Sequence, residues 1–195
     1  MTAATKVIFF CRHGQTDHNI QGLLQGSGVI SVLNEEGLQQ AELLSKRLGT
    51  ESVGVVITSP LERARKTAEA VHSRCGDGVD LLARGYLQSL LPYLTNLSWS
   101  PLNVNAQLDE NLQEISWGDW EGKPITPEFS ELAKRWRDGQ HHERAPNGES
   151  LATVDARARK VIDDLKRQKA SKIVVVGKLA CPLRLLATSN HPSLF

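Results

Sequence analysis

Val7-Ile8-Phe9-Phe10-Cys11-Arg12-His13-Gly14-Gln15-Thr16 runs from an apolar strand straight into an arginine, a histidine and a glycine. This order places a guanidinium and an imidazole at a strand's carboxyl end, where open α/β sheets keep their active sites. An arginine there can hold a phosphate through a planar fork of donors. The neighbouring imidazole, unprotonated on one nitrogen, can attack phosphorus as a covalent nucleophile. The stretch therefore predicts an α/β fold and phosphoryl transfer through a phosphohistidine.

The bulk composition agrees with that reading. With 195 residues, 40% of them hydrophobic, the chain has room for one α/β domain with a sizeable core, and residues 1–195 are read as a single domain. A formal net charge of +1 argues against a nucleic-acid or membrane-surface role, each of which calls for a concentrated basic excess. Cys11, Cys75 and Cys181 are odd in number and lack metal-ligand spacing, which suits reduced, packed thiols in a cytosolic protein. The first strand begins too soon after Met1 for a signal peptide. No apolar run approaches the roughly 20 residues a membrane helix needs. A soluble, cytoplasmic protein is expected; the oligomeric state is not readable.

Outward from the first strand, Gly14 to about Ser31 reads as a glycine-rich loop. Asn34 caps a helix with Glu35 and Glu36 in its first turn, Leu38, Ala41, Leu44 and Leu48 as its inner stripe, and Gly49 at its end. Val53, Val55, Val56 and Ile57 form a buried strand ending at Thr58-Ser59-Pro60. A helix from about Leu61 follows, with Ala64, Thr67, Ala68 and Val71 on one face. Strand, helix, strand, helix implies a largely parallel sheet. Pro92, Pro101 and several asparagines break the pattern, so residues 86–107 are read as an irregular excursion. Glu128 to Arg137 looks helical, and 140–146 looks like an exposed loop. Ser150 caps a long helix striped by Leu151, Val154, Ala158, Val161, Ile162 and Leu165, and Lys172 to Gly177 is a last buried strand. Residues 124–147, with Lys134, Arg135, Arg137, His141, His142 and Arg144, could form a basic lid or simply a solvated face.

Arg12-His13-Gly14, continued by Gln15-Thr16-Asp17-His18-Asn19, resembles the signature of the histidine phosphatase superfamily, the phosphoglycerate-mutase-like fold. Two further segments carry the likeness. Thr58-Ser59-Pro60-Leu61-Glu62-Arg63-Ala64 looks like the strand-to-helix turn bearing the family's second phosphate-binding arginine, here Arg63. Leu112-Gln113-Glu114-Ile115-Ser116-Trp117-Gly118-Asp119-Trp120-Glu121-Gly122 is similar to its proton-donor segment, with Glu114 at the donor position. Asp109, Glu110 and Glu121 are the rival carboxylates.

The resemblance implies a three-layer sandwich, a mostly parallel central sheet flanked by helices, and a metal-independent phosphatase of small phosphorylated metabolites with no cofactor. The Trp117 to Gly122 form is closer to broad-range phosphatases than to mutases. A mutase, or a non-catalytic phosphate-binding relative, is the alternative. In this scheme His13 attacks, and Arg12 and Arg63 surround the transferring group's charge. The carbonyl of Gly14 fixes the ring tautomer, Asn19 and Thr16 add neutral donors, and Glu114 gives and takes the proton.

The family usually follows its last core strand with a Ser-His-Gly-like turn, whose histidine touches the phosphoryl group. Aligned from the strand, this chain has Lys178 there; aligned back from Arg184, it has Leu179. Lys178 offers positive charge without a ring's planar geometry. Losing one transition-state donor costs about 3 to 4 kcal/mol, or roughly 10² to 10³ in rate. The helix and strand expected after Arg184 are also missing, which reads as a shortened or alternative carboxyl end.

Overall fold

The computed structural model describes residues 5–75, 79–83 and 110–177. The 86–107 excursion, Lys178, Leu179 and the carboxyl end lie outside them. Among the described residues four strands, β1 (Val7–Cys11), β2 (Val55–Thr58), β3 (Asp80–Ala83) and β4 (Lys172–Val176), form one parallel sheet in the order β1-β4-β2-β3. Cys11 pairs with Val176, Val176 with Thr58, and Thr58 with Ala83, so all four strands end level with one another. The chain segments bearing Arg12-His13, Ser59 to Arg63, and Gly177 therefore leave the sheet along a single edge.

The layers follow from strand alternation. Val56, Val174 and Val176 point to one face, where they pack with Leu48 of α2 (Glu35–Leu48) and with Ala64, Ala68 and Val71 of α3 (Glu62–His72). Val55, Ile57, Ile173 and Val175 point to the other, against Ala158, Val161 and Leu165 of the long carboxyl-proximal helix Leu151–Arg167. This is the three-layer α/β sandwich. A third apolar cluster, containing Leu24, Ile115, Trp117, Leu132, Trp136 and Leu151, joins helix Pro127–Arg137 to the rest. Trp117 stacks on Trp136 at 5.8 Å and meets Phe129 edge-on at 5.0 Å, while Trp136 Nε1 donates to Glu143 O. Numbered in chain order, Pro127–Arg137 is α4 and Leu151–Arg167 is α5, and the short helix Asp17–Ile20 is α1.

The expected caps are present: Asn34 accepts from Gly37 N–H, and Ser150 from Thr153 N–H. Three expectations need correction. The Gly14 to Ser31 loop contains α1, closed by Thr16 and Asn19, whose side chains each accept the other's backbone N–H. An asparagine in place of the usual Glu or Gln hides this capping box from the sequence. Leu38 is 54% exposed; α2 instead buries Gly37, Ala41, Ser45 and Leu48. Small residues on that face bring the helix close to its neighbours and rotate Leu38 outward. Finally, β3 was not anticipated, because Gly76-Asp77-Gly78 and Asp80 are strand-poor residues.

The contact between α2 and the loop after β1 is unusually close. A Cβ on Gly37 would lie 2.1 Å from Gln15 O, and one on Gly14 would lie 2.3 Å from Gly37 O. Both neighbours are backbone and cannot swing away. Gly37→Ala is expected to cost about 2 kcal/mol through overpacking, read as a lower urea midpoint; an unchanged midpoint would show that the loop gives way freely.

Candidate active site

His13 is 7% exposed, and its Nδ1 lies 2.7 Å from Gly14 O. A carbonyl can only accept, so Nδ1 carries a proton, and in the neutral ring the lone pair falls on Nε2. The preceding thiol is no rival nucleophile: burial pushes Cys11 up to about 11, leaving it protonated near neutral pH.

A cavity of about 420 Å³ opens beside the imidazole. Arg12, His13, Gly14, Gln15 and Asn19 line it from the β1 side, and Gln40, Ala41, Leu44 and Thr67 from α2 and α3. Arg12 is exposed. Asn19 Oδ1 faces the Thr16 N–H and hydroxyl, at 3.1 Å each, which leaves the amide donors of Nδ2 for a ligand. Thr16 is fully buried and is not in the lining. Its hydroxyl lies 3.1 Å from Asn19 Oδ1 and 3.0 Å from Gln25 Oε1, so it shapes the loop rather than facing the cavity.

Arg63 and Glu114 are also outside that lining, and Arg63 is tied to it through Thr67. Thr67 Oγ1 accepts from Gly14 N–H at 3.0 Å and donates to Arg63 O at 2.9 Å, tying the nucleophile's loop to the first turns of α3. Arg63 is 1% exposed, and its guanidinium donates to Gly26 O, Val29 O and Ser31 Oγ, each at 3.2 Å. Ser31 in turn donates to Gln25 Oε1 at 2.8 Å. Burial pulls the Arg63 guanidinium below its ordinary value; the carboxylates of Glu114 and Glu121 push it up, and Arg12 pushes it down. Arg63 thus lies within the fields of Arg12 and Glu114 together.

Among the rival carboxylates, Glu121 is already engaged. Its Oε1 accepts from Trp117 N–H at 3.1 Å and the Ser116 hydroxyl at 3.3 Å. It also fills the space a Cβ on Gly26 would need, 1.9 Å from that position. Glu114 is 5% exposed on the segment after a 3₁₀ turn at Glu110–Leu112. Gly177 brings the end of β4 against this segment, a Cβ there lying 3.5 Å from Leu112 O and 3.7 Å from Ser59 Cβ. Asp109 and Lys178 lie outside the described residues. Sequence reasoning missed Thr67, Gln25 and Ser31, whose roles come from contacts 53, 9 and 32 residues away in the chain. Among the described residues no group of three or more His, Cys, Asp or Glu side chains could hold a metal ion. No helix among them is long and apolar enough to cross a membrane.

The fold is a parallel α/β sandwich with an oriented histidine and two arginines just beyond its strand ends. The model of the histidine phosphatase superfamily (branch 1) matches residues 8–84 and 96–188, and the chain belongs to that superfamily. It is 27% identical over 188 residues to the "Probable 2-carboxy-D-arabinitol-1-phosphatase" of Arabidopsis thaliana, with 95% of this chain and 33% of that protein aligned. The chain thus spans about a third of that relative. It is 28% identical to the "Probable phosphoglycerate mutase GpmB" of Yersinia enterocolitica, over 92% of this chain and 74% of that one. Among solved structures, the alpha-ribazole phosphatase of Shigella flexneri aligns with a TM-score of 0.64 at 25% identity, covering 93% of this chain and 78% of that one.

Proposed function

We propose that this protein hydrolyses small phosphomonoesters without a metal ion, through a phosphohistidine on His13. The observation that carries the reading is the Nδ1 to Gly14 O hydrogen bond of 2.7 Å, which puts the nucleophilic lone pair on Nε2. Nε2 attacks phosphorus while the ester P–O bond breaks, and Arg12 and Arg63 take up charge on the phosphoryl oxygens. Protonated Glu114 delivers its proton to the departing alkoxide. Water then attacks phosphorus, giving a proton to Glu114 while the P–N bond breaks and its electron pair returns to Nε2, and inorganic phosphate leaves. Asn19 Nδ2 adds a neutral donor. Lys178 is proposed to supply the positive charge that a second histidine provides in relatives. The phosphatase names among the relatives support hydrolysis, and cytoplasmic placement remains part of the proposal.

The donor role is tested by Glu114→Gln with two esters. For an alkyl phosphate, whose alkoxide needs a proton, kcat/KM should fall about 10²-fold or more. For p-nitrophenyl phosphate, whose phenolate leaves unaided, the fall should stay within about fivefold. Equal losses on both would remove Glu114 from the proton-transfer step. The GpmB likeness favours one second reading, a mutase; phosphate transferred to an added phosphoglycerate faster than to water would establish it.

A further inference from the structure

Two residues that no motif in the sequence marks hold the donor segment in place: Arg157 on α5 and Glu149 just before it. The Arg157 guanidinium makes a forked pair with the Glu149 carboxylate, Nε to Oε1 at 3.2 Å and Nη2 to Oε2 at 3.0 Å. Its remaining donors go to three backbone carbonyls of the donor segment: Nη1 to Asn111 O at 3.0 Å and to Gln113 O, and Nη2 to Glu114 O at 3.1 Å. Glu149 Oε2 completes the clamp by accepting from Ser116 N–H at 2.9 Å, and Glu149 N–H donates to Ser116 O at 2.9 Å. The backbone is thus gripped at residue 114 itself and on both sides of it. Both side chains are partly buried, with 12% of Arg157 and 26% of Glu149 exposed.

An ion pair placed only for stability has no need to spend its other donors on the carbonyls of one loop. A planar fork that reads several carbonyls fixes orientation as well as position, which a lysine's point charge cannot do. General acid catalysis depends steeply on such placement. We propose that Arg157 and Glu149 are positioning residues that aim the Glu114 carboxyl at the leaving-group oxygen. This rests on the reading of Glu114 as the proton donor.

The test compares kcat/KM for an alkyl phosphate and for p-nitrophenyl phosphate in Arg157→Lys and Glu149→Gln, with Glu114→Gln alongside and the melting temperature of each variant measured. Arg157→Lys should lose about 30-fold on the alkyl ester and under about threefold on the nitrophenyl ester, with Glu149→Gln showing the same selectivity at about tenfold. A merely structural role would lower both esters together, and that result in Arg157→Lys would overturn the clamp. If Arg157→Lys does not fold, Glu149→Gln, which keeps the three carbonyl contacts and an acceptor for Ser116, decides by the same criterion. If Glu114→Gln itself fails to discriminate between the esters, the donor assignment falls and the clamp with it. If Glu114→Gln discriminates and the clamp variants do not, the clamp alone is wrong.

Discussion

His13→Ala is expected to reduce phosphatase turnover by at least about 10⁴-fold, the loss that follows when a covalent nucleophile is removed and only binding and electrostatic stabilisation are left. The variant should still bind inorganic phosphate, because Arg12, Arg63 and Asn19 are untouched. Rapid quenching of the wild-type enzyme with labelled substrate should trap a phosphoryl group that survives base and is lost in acid, as a phosphoramidate is, and His13→Ala should trap none. Cys11, one residue before Arg12, is half-buried against the α2 and α3 cluster, and burial pushes its thiol up to about 11, so Cys11→Ala should leave the trapped label intact. Turnover in His13→Ala within tenfold of the wild type would rule out the covalent route.

The second large effect is expected at Arg63. Arg63→Met keeps most of the volume and removes the charge, and kcat/KM should fall about 10³-fold, since the transferring group loses one of its two guanidiniums. The same change strips three donors from Gly26 O, Val29 O and Ser31 Oγ. Two terms then oppose each other. Acceptors left without donors cost stability, whereas removing a cation that is 1% exposed relieves its desolvation. Gly26 and Ser31 are buried, so their abandoned acceptors stay dry, and the net loss should be about 2 kcal/mol. Arg63→Lys, with charge but no fork, should fall between the two in activity. An Arg63→Met enzyme within tenfold of wild type would remove Arg63 from the phosphate site.

What the sequence disclosed, and what it withheld, follows from the range of the interactions concerned. β1, α5 and the Ser150 cap were legible because local propensity and hydrophobic period agree at Val7 to Cys11, and capping chemistry joins them at Ser150 to Leu165. Arg12 and His13 were legible because a strand end places them without help from elsewhere. Leu38 misled because the apolar period along α2 competes with a close approach at Gly37, and the approach decides which face turns inward. For Arg63 the motif suggested a phosphate ligand, but its anchoring on the Gly26 to Ser31 loop depends on a contact some thirty residues distant, and no spacing rule encodes it. Arg157 and Glu149 were invisible for the same reason: their partners are mostly backbone carbonyls and an N–H, which carry no residue identity.

In the proposed site the His13 imidazole, the guanidiniums of Arg12 and Arg63, and the Glu114 carboxyl converge on one anion. A crystal structure of the wild-type chain with orthovanadate tests this most directly. The prediction is vanadium bonded to His13 Nε2, oxygens within hydrogen-bond distance of both guanidiniums, and the Glu114 carboxyl facing the oxygen opposite the imidazole. Vanadate bound away from His13, or held there with Arg63 and Glu114 both turned from it, would contradict the claim.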